Sequence, residues 1–157
     1  MSGVRRGARS VLKYFAPLYV VLIVIQVFLA GEGIFRMKDV KDSDACNKAA
    51  AHCVSNSKSL DAHRFLGFLL TEPIALLFLI AALLAWYPST RLRTITILAP
   101  ILTFVQVVLA GIGGWVAGLH PVNAFIVLGM FGWLSHRLRE AEPAAAAASA
   151  PLAVPAD

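Results

Sequence analysis

Polar residues in this chain fall into clusters, and between the clusters the sequence is almost wholly apolar. A basic start, with Arg5, Arg6, Arg9, Lys13 and no acid, gives way to an apolar run over 14–35. A polar stretch of mixed charge follows over 36–62, then a second apolar run over 65–87. Pro88-Ser89-Thr90-Arg91-Leu92-Arg93 separates it from a third run, 94–116. Gly118-Leu119 then leads into a fourth, 120–138, which closes on His136-Arg137-Leu138-Arg139. A helix that crosses the hydrocarbon core of a bilayer needs about 20 mostly apolar residues, and the four runs meet or nearly meet that length. The pattern predicts an all-α fold: an integral membrane four-helix bundle over residues 1–139. From 140 to 157 the chain is alanine, proline and acid. Pro143, Pro151 and Pro155 interrupt any long helix there, so a disordered cytoplasmic tail is expected.

Composition agrees with the pattern. Of 157 residues, 59% are hydrophobic and 15% charged, and the mean hydropathy is +0.74, outside the range of ordinary soluble domains. Four spans leave no length for a soluble domain. The formal charge of +5 raises nucleic acid as a partner, but the cations sit in short flanks of the runs and read as topology signals in a lipid bilayer. Basic flanks stay in the cytoplasm. The start, the 88–93 turn and the end of the fourth run all carry Arg or Lys, so both termini are expected inside (N-in, C-in), with 36–62 an outer loop. The first run is longer than the core of a secretory signal peptide, which favours a retained anchor.

Two stretches repeat. Gln26-Val27-Phe28-Leu29-Ala30-Gly31-Glu32-Gly33 is matched by Gln106-Val107-Val108-Leu109-Ala110-Gly111-Ile112-Gly113, with differences only at Phe28/Val108 and Glu32/Ile112. Each copy closes an apolar run, and each is followed by a histidine that opens the next: His63 and His120. Both histidines have a small residue four positions on, Gly67 and Ala124, and a phenylalanine five on, Phe68 and Phe125. The bundle therefore reads as two tandem helix-pair repeats. The competing explanation is coincidence among apolar residues that recur easily.

The repeat gives the histidines a chemistry. The second and fourth helices run in the same direction, and each histidine sits in a first turn, so both lie at one depth near the outer face. Side chains so placed converge in the core of a four-helix bundle. Two facing imidazoles can be the axial ligands of one heme b. Gly67 and Ala124, one turn deeper on the same helix faces, would clear space for the macrocycle, Phe65, Phe68 and Phe125 would wall it, and Arg64 with Arg36 or Lys38 would pair with the propionates. The plain alternative is two interfacial histidines that cap and solvate. His52 falls in the loop, and His136 has no histidine at its depth.

Other polar residues stand out. Ser59 is a candidate N-cap for the second helix and Asp61 complements its dipole. Glu72 lies nine residues beyond His63, next to Pro73, which is expected to kink the helix. It is either a functional intramembrane acid or a protonated side chain bonded to backbone freed by Pro73. Gln26 and Gln106 are either interhelical hydrogen-bonding residues or part of a cofactor wall or proton path. Cys46 and Cys53 share the outer loop with six residues between them, and three readings are open: a disulfide in an oxidising compartment, two free thiols, or a metal site with His52. The chain has no nucleotide loop, serine-nucleophile motif or zinc spacing.

The pattern Gln-Val-Phe-Leu-Ala-Gly, then His63-Arg64-Phe65-Leu66-Gly67, then Leu119-His120-Pro121-Val122-Asn123-Ala124 resembles a group of small four-helix bacterial membrane proteins of unknown function, over most of 14–138. More distantly the plan is similar to one half of heme A synthase. The resemblance implies a bacterial cytoplasmic membrane, histidine heme ligands at the outer ends of the second and fourth helices, and a cysteine pair in the first outer loop. The synthase's catalytic glutamate, three residues before the His-Arg pair, has no counterpart: Leu60 stands there, with Asp61 one step later. Heme binding for electron transfer or heme handling is therefore the first expectation. A synthase-like oxidoreductase acting as a homo-oligomer is the second. A cofactor-free member of a larger membrane assembly is the third. Whether the chain is an enzyme, and whether it has a membrane redox partner, are not fixed by these residues.

Overall fold

The structure is a computed structural model and describes residues 3–41, 60–112 and 114–148. Within these the chain is helical, and four helices are each long and apolar enough to cross a membrane: Gly3–Arg36, Asp61–Ala85, Thr90–Ile112 and Gly114–Glu140. The first span belongs to α1 (Gly3–Lys41). The second is composite: α2 (Asp61–Leu69), a π-helical turn (Leu70–Ile74) and α3 (Ala75–Ala85). The third is α4 (Thr90–Ile112), and a short α5 (Gly114–Ala117) leads into α6 (Leu119–Ala148). Cys46, His52, Cys53 and Ser59 lie outside the described residues.

Local chemistry explains the joints. Pro73 has no N–H to give to the turn above it, and the chain forms one wider, π-helical turn there. Leu60 occupies the N-cap of α2 without a side-chain hydrogen bond, while Asp61 does sit in the first turn. The second span stops at Ala85, two residues short of the expected end, because Trp86 takes a left-handed conformation (φ 40°) at its C-cap. Ser89 then starts α4. Its carbonyl accepts from Arg93 N at 3.0 Å and its hydroxyl from Leu92 N at 3.4 Å. The third span was expected to reach 116 but stops at Ile112, where the chain turns through Gly114 at φ +56°, a conformation glycine adopts freely. The last helix continues to Ala148, over part of the segment expected as tail. Its backbone there follows the alanine run 144–148, alanine being the best helix former. Residues 149–157 lie outside the described set.

The bundle is close-packed at one end and hollow at the other. α1 packs against α3 and α6, and α4 packs against α3 and α6, so the second and fourth spans face each other across a diagonal. Tyr19, Phe78 and Phe131 fill the packed half. Tyr19 stacks on Phe131 at 4.1 Å between ring centres, and Phe78 meets Phe131 edge-on at 4.9 Å. Buried Ala16, Ala75, Ala82, Ala85 and Ala99 let the backbones approach. Buried Thr96 and Thr103 return their hydroxyls to the carbonyls four residues back, at 2.6 and 3.0 Å. Tyr19 Oη donates to Leu70 O in the π turn at 2.6 Å. Beyond that level buried apolar side chains run out in three of the four spans: those of α1 end at Ile23, those of α4 end short of Gln106, and α2 has none.

The basic flanks gather at the packed end. Arg9 donates to Ala85 O and Trp86 O, both at 3.1 Å, and lies over Tyr87. Arg93 lies over Trp86, and Arg91 and Arg137 lie over Trp133. Arginines and aromatic rings thus share one level, an arrangement typical of a membrane interface. His136 is at this end too, 3.4 Å from Glu140 and far from the other described histidines.

Candidate functional site

The hollow half holds both candidate histidines. The rings of His63 and His120 are 6.3 Å apart between centres, with planes at 72°. They come from diagonal helices, so the convergence expected from the repeat is observed. The deeper result is how each ring is held. His63 Nδ1 lies 3.1 Å from Gln26 O, and His120 Nδ1 lies 3.0 Å from Gln106 O. These glutamines are the matched positions of the two repeated stretches, so each histidine is tied to its own copy of the motif. A carbonyl oxygen only accepts, so each Nδ1 carries the proton and donates it. In the neutral imidazole, Nε2 is then left with its lone pair, the form that ligates a metal.

The glutamine side chains differ in their bonds. Gln26 Nε2 donates to His63 O at 2.7 Å. Gly67 makes this possible, since a Cβ there would lie 2.8 Å from Gln26 Nε2. The room at Gly67, expected to serve a macrocycle, is thus used by Gln26. Gln106 Oε1 accepts from Asn123 Nδ2 at 2.6 Å, and Asn123 Nδ2 also reaches Leu102 O at 2.9 Å. Asn123 is buried and locks α6 to α4 one turn below His120. Its part in the site escaped the sequence reading. The signal was a polar residue three positions after a histidine in an apolar helix, hence on the same face.

Below the histidines is a cavity of about 400 Å³, within the ~300–1,000 Å³ of small-molecule and cofactor sites. Ala124, Gly67, Gln26 and Gln106 wall it, and Tyr19, Thr71, Glu72 and Thr103 form its deeper part. Phe68 and Phe125 are in its wall, although all three phenylalanines are largely exposed, and Phe65 is not in the wall. Arg64 is at its wall, 3.6 Å from Asp61, and Arg36 pairs with Glu32. The two arginines thus have acids on their own helices, and the side chain of Lys38 is outside the described residues. Among the described residues no three His, Cys, Asp or Glu side chains converge.

The fold and the site define a four-helix bundle whose helices are long and apolar enough to cross a membrane, with a cavity at one end lined by His63 and His120. The chain matches no family model, no curated protein and no solved structure.

Proposed function

We propose that this is a multi-pass membrane protein that binds one heme b between His63 and His120 near its outer face. The basic, aromatic-ringed end of the bundle is then cytoplasmic, with both termini, by the positive-inside rule. The cavity end faces outward, in the cytoplasmic membrane of a bacterium if the resemblance to the small bacterial proteins holds.

The observation that carries the reading is the oriented pair. The rings of His63 and His120 are 6.3 Å apart between centres, and contacts of each Nδ1 with the carbonyls of Gln26 and Gln106 leave each Nε2 free to ligate in the neutral ring. The hollow beneath adds support: packing stops where a flat apolar group would take over. The residues present are compatible with a heme: His63 and His120 would hold its iron, and Ala124, Phe68 and Phe125 would line its pocket. Bound heme would supply one-electron redox chemistry at its iron. The chain's own part is to hold the imidazoles, exclude bulk water and present the site to a redox partner or a second copy at the outer face.

Electron transfer or heme handling is favoured over synthase-like oxidation by one residue. The position of the synthase glutamate is Leu60, at the N-cap of α2, and neighbouring Asp61 is directed to Arg64. Heme content per chain tests the proposal. Protein purified from heme-supplemented cells should carry about one heme b per chain, and His63→Ala and His120→Ala should each lower that content. A colourless wild type would contradict it.

A further inference from the structure

The end of the bundle opposite the cavity carries cations that the heme reading does not use. Two of them meet at one ring. Arg91, in the first turn of α4, has its guanidinium carbon 5.4 Å from the centre of the Trp133 ring. Arg137, one turn beyond Trp133 on α6, has its own at 5.9 Å. Both arginines are exposed and Trp133 is half-buried. Two like charges drawn to one ring repel each other unless an anion is shared between them. The acid at this spot is Glu140: its Oε2 accepts from Arg137 Nη1 at 2.8 Å, and its Oε1 lies 3.4 Å from His136 Nδ1. Arg91 has no acid partner among the described residues. An aromatic ring attracts a guanidinium without occupying its N–H groups as an acid does. Arg91 therefore keeps donors for an oxygen-rich anion, and a phosphate takes such donors two at a time.

The neighbouring pair at this end is committed elsewhere. Arg93 lies over Trp86, but Arg9 beside it already donates to Ala85 O and Trp86 O. At Trp133 the surroundings point to one kind of anion. Leu98 is seven residues from Arg91, and Met130 and Ile126 are seven and eleven from Arg137, spacings that put each on the helix face of its arginine. Leu98 is 40% and Ile126 50% exposed. α4 and α6 pack side by side, so a cationic level at their ends leads into an apolar strip along both. In a bundle whose helices are long and apolar enough to cross a membrane, arginines and tryptophans at helix ends lie at headgroup level.

We propose that Arg91 and Arg137 hold the phosphate of an anionic phospholipid whose acyl chains lie along Leu98, Met130 and Ile126. The strip commits the site to a lipid. A soluble phosphate has no chain to lay there, and an acidic protein segment would set polar backbone against it. Glu140 keeps Arg137 in place from one side, and Arg91 closes on the phosphate from the neighbouring helix. On the proposed orientation the lipid belongs to the cytoplasmic leaflet. The site does not depend on heme, only on the spans crossing a bilayer.

Mass spectrometry of the intact full-length chain released from detergent tests this, with phosphatidylglycerol and phosphatidylcholine of the same acyl chains as probes. The wild type should bind the first at several-fold lower concentration than the second, with each arginine contributing roughly fivefold. Arg91→Gln and Arg137→Gln should each narrow that preference, and the two together should abolish it. Arg5→Gln combined with Arg6→Gln removes the same charge from the same end and should leave the preference in place. Glycerol phosphate, which lacks acyl chains, should not displace the lipid. A wild type that binds both lipids alike, or single Arg91→Gln and Arg137→Gln proteins that keep the full preference, would overturn the proposal. So would an equal loss in the Arg5 and Arg6 variant, which would mark diffuse charge, or displacement by glycerol phosphate. Should the double variant at Arg91 and Arg137 not assemble, the wild type and the single variants decide.

Discussion

Position 67 shows how finely the site is set. A methyl group on Gly67 would fall 2.8 Å from Gln26 Nε2, so Gly67→Ala must displace the amide that holds His63 O. The loss of that bond in a buried setting is expected to cost about 1–3 kcal/mol, measured as a lowered midpoint of detergent-induced unfolding, while Gly129→Ala, with open space around it, should leave the midpoint in place. Asn123→Leu should cost a similar ~1–3 kcal/mol, because it strands Gln106 Oε1 and frees α6 from α4. The histidines, Gly67 and Ala124 were legible in the sequence because they repeat at equal offsets. The grip on the rings was not. It is made by the backbone carbonyls of Gln26 and Gln106, which every residue type carries, so no side-chain pattern can announce it. The repeated glutamines marked the right positions for a different reason, their side-chain bonds.

At the scale of elements, hydropathy alone placed the four spans, since about 20 apolar residues in a row have few other uses. Their ends were less legible. The left-handed Trp86 and the break before Gly114 depend on backbone geometry that apolarity does not encode, and Pro73 marked the place of the irregular turn but not its π-helical form. The difference between a packed and a hollow half was also invisible, because lipid-facing and core-facing residues are equally apolar in a membrane protein. The aromatic cluster of Tyr19, Phe78 and Phe131 should carry the stability of the packed half. Phe131→Ala is expected to cost about 3–5 kcal/mol, read from the same unfolding midpoint. Heme content should be retained under conditions where that variant still folds, since Phe131 is outside the cavity wall.

For the whole molecule, the gathering of Arg9, Arg91, Arg93 and Arg137 at one end, opposite the histidines, is the basis of the orientation we propose. Cysteine introduced as Ser89→Cys, in a background with Cys46→Ser and Cys53→Ser, should resist membrane-impermeant maleimide applied from outside, and labelling there would reverse the topology. Heme, if bound, ties the second span to the fourth across the bundle diagonal, so the loaded protein should unfold at a higher midpoint than the heme-free form. The most direct test of the central claim is the reduced-minus-oxidised optical spectrum of the purified chain and its histidine variants. A low-spin heme b spectrum is predicted for the wild type and for His136→Ala, with loss or conversion to high spin in both His63→Ala and His120→Ala. A colourless wild type, or a low-spin spectrum that survives both of those substitutions, would contradict ligation by His63 and His120.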